Sequence, residues 1–597
     1  MHIIINNREA VLKKGASFDY IAENRFFTGA DSYTLTITFP LKGCMQNREI
    51  FGYINRKDHD LSTLMLDCEI HDRGFHAYGA VNIVEISDTE VKTQFLQGKS
   101  AQNFDWELDK TYINNLQLGQ ARDWGHFDTR WHFGAPGDEH YKGFVSLPWV
   151  NNTSGNMQNK LRYSSIAWYY WDTSEERDAP LSCQYYLIYM LERIFEECRY
   201  SYNFEELYNS PYRYLVVFNT FPYAWEIDEW AMALPHWTIT ELLEQIELFT
   251  NGQFEVDKKQ RKVTFSFNCY IMDRQRVVRL DNVVDEHQVE VAADDDVTYT
   301  YMEQMNLKYA DADHQMQCFY SCDKVLESMN VLQYSTYDSI KNLAESYKQW
   351  NMHLNNSYVF RNILYAEDID TYFALKCYRI TTDTYGRKTR HTRLQPVNVF
   401  GSRTTGSSDG GKITEIGIVP VCIDHCDMTV GDCVFLDCGT YGDEEGSESE
   451  QSLVVNKLKE GEQEDKTEFF NKLYVAFWTG DVHVQNVSGE NLYPLPWIDN
   501  FWVDQYNNLY QTHLDGYDDL SMRLKGRMIN HMREPRYKVD QSRKFSFKFI
   551  VKDGNIPDVR SIFYIHGKKY LAEKITATFT ENGMSQLLKG SFYLIIE

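Results

Sequence analysis

Apolar and polar residues alternate near both ends of the chain, and this period of two is the feature that most constrains the fold. Residues 33–41 read YTLTITFPL, so that Tyr33 and every second residue up to Leu41 share one face. The same alternation returns after residue 540, beginning with FSFKFIV at 545–551. Neighbouring side chains of a β-strand point to opposite faces, so this pattern is typical of half-buried antiparallel strands. It predicts a compact β domain at the N-terminus and a four-stranded β-meander at the C-terminus.

A helix followed by a hairpin is predicted in the middle of the chain. Thr238 and Glu241 have the spacing of a capping box, and the apolar residues that follow recur at helical intervals. Asn251, which precedes a glycine, predicts the end of this helix. Two alternating apolar segments on either side of a polar turn from Asp257 to Gln260 then predict the hairpin.

Two further helices are predicted, one over 187–198 with Pro180 near its start and one around 339–350. The fold class is therefore multidomain and mainly β, with α+β insertions. The expected domains are an N-terminal β domain (1–105), an aromatic-rich insertion with one helix (106–235), an α+β domain holding the helix–hairpin unit (236–400), an acidic, loop-containing β region (401–520) and a basic C-terminal β-meander (521–597).

Composition and charge exclude several classes of protein. The 597 residues are 43% hydrophobic, too apolar for a disordered chain, and no run approaches the roughly 18 apolar residues of a membrane helix. The formal net charge is -26; residues 521–597 carry +8, which leaves -34 upstream. So acidic a chain should repel DNA, which disfavours sequence-specific nucleic-acid binding. The N-terminus does not resemble a secretory signal, and a cytoplasmic site of synthesis is expected.

Residues 406–412 (GSSDGGK) have the glycine and lysine spacing of a phosphate-binding loop. The next residue is Ile413, so the hydroxyl that would bind magnesium is missing. The residues that follow predict a strand, whereas phosphate binding of this kind requires the start of a helix. We therefore reject a nucleotide site and interpret the segment as a glycine-rich loop.

Four cysteines lie close together in sequence, at Cys422, Cys426, Cys433 and Cys438, with His425 among them. Their spacing lacks the paired Cys-x-x-Cys arrangement of a zinc knuckle. Reduced cysteines buried in a β region are the favoured interpretation, and a zinc site remains the alternative. No protease, hydrolase or dinucleotide motif is present, so we predict no catalytic, cofactor-binding or metal-ligating residues and no enzymatic activity.

The chain is rich in aromatic residues, with 13 Trp and 41 Tyr. Seven of the tryptophans lie in the stretch from Trp124 to Trp230. Such side chains line sugar-binding surfaces, but they also anchor protein interfaces and cores, which is the favoured interpretation. A glycan-binding or glycan-cleaving tail or surface protein, using residues such as Trp124, Trp131 and Trp149, remains the alternative.

Three parts of the sequence together resemble a known family of structural proteins. They are the N-terminal stretches FTGADSYTLTITFPL (27–41) and IVEISDTEVKTQFL (83–96), the helix–hairpin unit (237–267), and the C-terminal stretches IFYIHGKKYLAEKI (562–575) and LKGSFY (588–593). In texture and order they resemble the tail hub proteins, also called tail-tip or baseplate hub proteins, of bacteriophages and prophages.

This resemblance implies a structural virion protein of the phage tail, assembled in the bacterial host cytoplasm. Hubs of this family are homotrimers in which each chain contributes two tube-like antiparallel β domains to a ring beneath the tail tube. The implied partners are the tail tube protein, the distal tail and tape measure proteins, and the tip or spike protein. The ring would form part of the DNA passage, and an acidic wall there would not retain DNA.

Overall fold

The structure is a computed structural model. It describes residues 1–28, 31–57, 65–98, 106–119, 141, 143–148, 160–163, 168–171, 181–218, 230–291, 298–299, 307–310, 330–346, 362–386, 388–397, 414–420, 422–426, 433–437, 472–478, 482–483, 492–493, 498, 501–503, 507–511, 521–522, 538–552 and 554–596.

The strands described in the first half of the chain are β1 (His2–Ile5), β2 (Arg8–Ala10), β3 (Ser17–Glu23), β4 (Tyr33–Thr34), β5 (Ile37–Pro40), β6 (Met65–Asp72), β7 (Phe75–Ile86), β8 (Glu90–Leu96), β9 (Phe144–Pro148), β10 (Lys160–Tyr163), β11 (Trp168–Trp171), β12 (Leu181–Tyr186), β13 (Ser201–Asn203), β14 (Leu215–Phe218), β15 (Gly252–Asp257), β16 (Lys262–Phe267), β17 (Val277–Arg279), β18 (Val283–Val291) and β19 (Thr298–Tyr299).

The strands described in the second half are β20 (Leu307–Tyr309), β21 (Val331–Tyr334), β22 (Ile363–Ala366), β23 (Thr371–Thr382), β24 (Lys388–Val397), β25 (Thr414–Ile416), β26 (Ile418–Pro420), β27 (Cys422–Cys426), β28 (Cys433–Asp437), β29 (Leu473–Phe477), β30 (Val482–His483), β31 (Leu492–Tyr493), β32 (Phe501–Val503), β33 (Leu509–Gln511), β34 (Lys538–Ile550), β35 (Ile562–Ile565), β36 (Lys568–Thr580), β37 (Gly583–Met584) and β38 (Leu587–Ile596).

The α-helices of the described chain are α1 (Arg25–Thr28), α2 (Met45–Ile50), α3 (Trp106–Lys110), α4 (Leu187–Glu197), α5 (Glu205–Tyr208), α6 (Ile239–Thr250), α7 (Asn268–Asp273) and α8 (Tyr337–Ser346). Short 3-10 helices lie at Ile113–Asn115, Pro211–Tyr214 and Trp230–Ala233. The fold is mainly β and multidomain, as the alternating sequence patterns predicted. No helix within the described ranges is long and apolar enough to cross a membrane.

The chain forms two compact units, and each is assembled from segments that are distant in sequence. Unit 1 comprises Met1–Lys110, Gln253–Gln304 and Glu534–Glu597. Unit 2 comprises Thr111–Gly252 and Met305–Arg533. The N-terminal and C-terminal β segments, which the sequence suggested as separate domains, thus belong to the same unit.

Unit 1 is built on a 16-stranded sheet whose main path runs β18-β34-β38-β36-β3-β4-β8-β7-β6-β1-β2. The C-terminal strands join the N-terminal strands where β3 pairs antiparallel with β36, from Ser17 opposite Thr580 to Glu23 opposite Lys574. Buried apolar side chains from both ends of the chain form one hydrophobic core. Burial of this shared core stabilises the two segments together.

The predicted strand at residues 33–41 is divided into β4 and β5, so the prediction of one continuous strand is wrong. The break lies at Leu35, whose N–H donates to the carbonyl oxygen of Asp19 at 2.9 Å. Thr34 is fully buried, whereas Leu35 is 49% exposed, the reverse of the predicted facing. Beyond the break the prediction holds, because Ile37 and the alternate residues after it are buried.

The C-terminal segment contains the predicted strands β34, β35, β36 and β38, with the short β37 between the last two. Strands β35, β36 and β38 follow one another as a meander, but β34 pairs with β38 rather than with β35. The prediction of a simple four-stranded meander is therefore wrong in this respect. The predicted turn between β35 and β36 is confirmed, since His566 and Gly567 both have positive φ, 47° and 82°.

Unit 2 contains a five-stranded sheet, β26-β29-β14-β12-β9, and a four-stranded sheet, β21-β22-β23-β24. Helix α4 begins at Leu187, directly after β12. The predicted helix over 187–198 is therefore confirmed, but Pro180 does not lie near its start, because residues 181–186 form β12. Pro180 itself lies outside the described residues. Helix α8 begins within two residues of the predicted start and contributes Ile340 and Ala344 to a second core.

The predicted helix–hairpin sequence is confirmed as α6 followed by β15 and β16. Thr238 accepts a hydrogen bond from the N–H of Glu241, and the Glu241 carboxylate accepts one from the N–H of Thr238. Asn251 ends the helix in the left-handed conformation, with φ 53°. The helix belongs to unit 2, and the hairpin from Gln253 onwards belongs to unit 1.

Candidate functional site

The pairing of β3 with β36 is the structural centre of unit 1. The rings of Phe18 and Phe579 stack with their centroids 5.4 Å apart and 6° between their planes. Asn24, at the end of β3, is buried and donates from Nδ2 to the carbonyl oxygen of Ala572 at 2.9 Å. Apolar contact and a buried hydrogen bond thus stabilise the same junction between distant chain segments.

A polar cleft of about 560 Å³ opens in unit 1. Its walls come from β7, β8, β15 and β16 and from residues near Asp31 and Arg560. Ionisable side chains of both signs line it, and they are Glu23, Arg25, Asp31, Asp67, Glu255, Asp257, Lys258, Lys262, Asp558 and Arg560. We call this feature the acidic–basic cleft.

Two arginines that line the acidic–basic cleft form ion pairs. Arg25 donates from Nη2 to Asp31 Oδ2 at 2.6 Å and from Nη1 to the carbonyl oxygen of Phe254 at 2.8 Å. Arg560 pairs through Nη1 with Glu255 and through Nε with Asp558 Oδ1 at 3.3 Å. Charge-assisted hydrogen bonds of this kind position loops. Both arginines thus contact strand β15, at Phe254 and at Glu255.

A second cleft of about 710 Å³ shares four lining residues with the first, Met65, Asp67, Tyr78 and Lys258. The turn between β15 and β16 contributes two lysines to its edge. Lys258 Nζ lies 3.1 Å from Asp67 Oδ1, and Lys259 Nζ lies 2.9 Å from Glu69 Oε1. Both lysines thus connect the β15–β16 turn to strand β6.

Glu69, His71 and His76 form a compact cluster beside the second cleft. Glu69 Oε2 lies 2.8 Å from His71 Nε2 and 3.4 Å from His76 Nε2. The two imidazole rings stack with centroids 4.2 Å apart and 24° between their planes. Carboxylate oxygen and imidazole nitrogen are common metal ligands, and one such atom from each side chain lies within 4.8 Å of the other two. We call this group the Glu69–His cluster.

The register of the β6–β7 hairpin explains why these three side chains meet. His71 on β6 pairs directly with His76 on β7, and Arg73, with φ 47°, and Gly74 form the turn between the strands. Glu69 lies two residues before His71 and therefore points to the same face. The intervening Ile70 is fully buried on the opposite face, which fixes the orientation of the strand.

Hydrogen bonds from Lys259 and then from His71 lower the pKa of Glu69 to about 2, against a smaller opposing effect of burial. Its side chain is 17% exposed. The carboxylate of Glu69 is therefore ionised at neutral pH and acts as an acceptor.

Strand β18 lies at one end of the main path of the unit 1 sheet. It pairs with β34, from Val283 opposite Phe549 to Val291 opposite Arg543. Val289 is 41% exposed and Val291 is 66% exposed. An exposed terminal strand with apolar side chains is a surface at which another chain can add a strand.

The candidate zinc cysteines are described only in their backbone. Cys422 and Cys426 lie in β27 and Cys433 begins β28, with Cys426 paired opposite Cys433. Cys438, the fourth cysteine, lies outside the described residues. The strand register thus brings two of the four positions together and leaves the zinc alternative as a prediction.

The remaining candidates from the sequence fall largely outside the described residues. These are the glycine-rich loop 406–412 and the tryptophans Trp124, Trp131 and Trp149. A strand follows the loop, as predicted, at Thr414–Ile416. Among the tryptophans of the insertion, Trp230 is buried and donates from Nε1 to the carbonyl oxygen of Leu118 at 3.2 Å, the contact of a core residue.

The Glu69–His cluster was missed by the sequence reasoning, which predicted no metal ligands. The available signal was EIHDRGFH at 69–76, in which a glycine-containing turn separates two histidines placed symmetrically about it. That symmetry becomes a contact only when the hairpin has a two-residue turn.

No protein-family model matches the chain, and no curated protein matches it.

Proposed function

We propose that the chain is a non-enzymatic structural protein of a phage tail, a homotrimeric hub that joins the tail tube to the tip or baseplate. The main support for this function is the arrangement of the two ends of the chain. The N-terminal and C-terminal stretches that resemble hub proteins lie in one sheet over one core, joined by the pairing of β3 with β36. A hub chain must hold its β segments in a fixed relation within the ring, and this pairing connects the two ends of the chain within one sheet.

Both the N-terminal and the C-terminal strands of the unit 1 sheet have a feature that supports a curved sheet. The long hairpin β7–β8 has a register shift between Ile83 and Glu85. The pair β36–β38 has a shift between Ala572 and Lys574. Such irregularities bend strands and increase their twist, which curved, tube-like β domains need.

The exposed strand β18 supports association with a second copy of the chain. Its apolar side chains Val289 and Val291 would be covered if a strand of the neighbouring subunit added to this end of the sheet. In a closed cyclic assembly each subunit contributes two complementary surfaces, so β18 would supply one of the two surfaces that form every contact in the ring.

The proposed neighbours are the tail tube protein, the distal tail and tape measure proteins, and the tip or spike protein. The proposed location is the virion tail, after assembly in the bacterial host cytoplasm. The excess of carboxylates upstream of residue 521, net -34, suits a passage that DNA crosses without sequence-specific binding.

Mass measurement by light scattering and electron microscopy of the purified full chain test the proposal. We expect a particle of three times the chain mass, ring-shaped in projection, that binds the tail tube protein encoded by the same genome. The Val291→Lys variant should weaken trimer formation because it places a charge in the contact. Val84→Lys is the matched control, since Val84 is 60% exposed in β7, away from that terminal strand.

A strict monomer at micromolar concentration that does not bind tube protein would contradict the hub. Specific glycan binding or depolymerisation by that monomer, lost on substitution of Trp124, Trp131 or Trp149, would favour the alternative function instead.

A further inference from the structure

The three donor atoms of the Glu69–His cluster converge on one point of the sheet surface. Glu69 Oε2 lies 2.8 Å from one histidine Nε2 and 3.4 Å from the other, and each of the three donor atoms lies within 4.8 Å of the other two. Ligands bound to a tetrahedral zinc ion at 2.0–2.1 Å are about 3.3 Å apart. Small rotations of the two imidazole rings would therefore place all three atoms at bonding distance from one ion.

The backbone beneath the cluster is held by strands on both sides. Strand β6 pairs with β1, where His2 lies opposite His71, and with β7, where His76 lies opposite His71. Cys68 and Ile70 are buried on the other face of β6. Ligands on paired strands keep their spacing better than ligands on loops, so little ordering is needed on binding.

Lys259 positions the carboxylate of Glu69. Its Nζ lies 2.9 Å from Oε1, which leaves Oε2 directed towards the two histidines. Partners that hydrogen-bond to a ligand in this way fix its orientation and influence metal affinity.

The composition of the cluster selects the class of ion. Two imidazole nitrogens and one carboxylate oxygen suit Zn²⁺, Co²⁺ or Ni²⁺ better than Mg²⁺ or Ca²⁺, which prefer oxygen ligands. The side chains of His71 and His76 are 38% and 47% exposed. Water thus has access to the remaining coordination positions, and the ion would exchange with solvent rather than be enclosed.

We propose that Glu69, His71 and His76 bind one divalent transition-metal ion, with Zn²⁺ as the preferred occupant, through Oε2 and the two Nε2 atoms. The ion would cross-link β6 and β7 next to their turn and stabilise unit 1 against unfolding. This inference goes beyond the proposed hub function and does not depend on it.

Equilibrium binding of Zn²⁺ to the full chain, freed of metal with a chelator, tests the site. We expect one ion per chain to depend on this cluster, with affinity reduced by roughly 100-fold or more in His71→Ala, His76→Ala and Glu69→Gln. His2→Ala is the matched control, because His2 is an exposed histidine on the adjacent strand and its Nδ1 contacts Glu9. This control should bind Zn²⁺ as tightly as the wild-type chain.

Circular dichroism in the presence of chelator verifies that the variants are folded. Binding of Co²⁺ provides a second readout, since ligation by nitrogen and oxygen gives visible absorption without the thiolate charge-transfer bands that cysteines 422–438 would produce. Zinc binding that is unchanged in His71→Ala and His76→Ala, or an absence of binding at micromolar Zn²⁺, would overturn the proposal.

Discussion

The side chain of Asn24 donates a hydrogen bond to the carbonyl oxygen of Ala572, 548 residues further along the chain. The same Nδ2 lies 3.3 Å from the carbonyl oxygen of Val559, and Oδ1 accepts from the N–H of Phe26 at 3.2 Å. Asn24 is only 1% exposed. One buried amide thus satisfies backbone groups from both ends of the chain at the junction of β3 and β36.

Replacing Asn24 with alanine should destabilise unit 1 by about 1–3 kcal/mol, because the carbonyl groups it satisfies are left buried without that donor. The decrease in free energy of unfolding is measured by denaturant titration. Asn582→Ala is the matched control, since Asn582 is exposed in the turn before β37, and it should change stability by less than about 0.5 kcal/mol. Equal effects of the two substitutions would contradict this role of Asn24.

Removing residues 534–597 should prevent unit 1 from folding. Strand β3 would lose β36, and the shared core would lose Phe579 and the other apolar residues of the C-terminal strands. Folding of residues 1–110 is measured by proteolysis of the shortened chain, and we expect rapid cleavage there. Protease resistance equal to that of the full chain would show that the N-terminal strands fold without the C-terminal ones.

The capping box of α6 should contribute measurably to the stability of unit 2. Thr238→Ala removes the oxygen that accepts from the N–H of Glu241 at 3.2 Å, at an expected cost of about 1 kcal/mol. Thr238→Ser retains a hydroxyl and should recover most of that loss. Thermal unfolding measures both variants, and a serine variant as unstable as the alanine variant would assign the effect to lost packing of the threonine methyl group instead.

Local signals in the sequence predicted α6 well, whereas the pairing of strands that are distant in sequence could not be predicted. Thr238, Glu241 and Asn251 define the helix ends through contacts a few residues apart, and all three act as the sequence indicated. The sequences of β3 and β36 do not identify each other as partners, because alternation specifies which face of a strand is buried but not which strand lies beside it. For the same reason β34 could not be placed beside β38.

The Glu69–His cluster could not be predicted from the sequence for a similar reason. Histidines five residues apart have no fixed relation until the turn is known, and the two-residue turn at Arg73 and Gly74 places His71 opposite His76. The break at Leu35 shows the converse error, since uninterrupted alternation in sequence predicted a strand that the backbone interrupts. In both cases turn geometry determines the outcome, and alternation alone does not reveal it.

The ionised carboxylate of Asp540 should stabilise unit 1 at neutral pH, and this stabilisation should be lost in acid. Burial alone would raise the pKa of this carboxyl group, but hydrogen bonds from Ser542 and Arg543 outweigh it, and the pKa is lowered overall. A group whose pKa is lower in the folded state adds stability above its unfolded value of about 3.9, and this stability is lost as the pH falls through the folded value. Asp540→Asn removes this titration.

The difference in free energy of unfolding between the wild-type chain and Asp540→Asn should therefore be largest near neutral pH and should shrink below about pH 4. Denaturant unfolding over a series of pH values measures it. Ser542→Ala retains the carboxylate but loses the hydroxyl that donates to Oδ1 at 2.5 Å. The pKa of Asp540 is then lowered less. The difference in free energy of unfolding between Ser542→Ala and Asp540→Asn should therefore change less with pH than the difference between the wild-type chain and Asp540→Asn. If the difference in free energy of unfolding between the wild-type chain and Asp540→Asn stays constant from neutral pH into acid, the effect of the substitution is due to packing and not to the charge of Asp540.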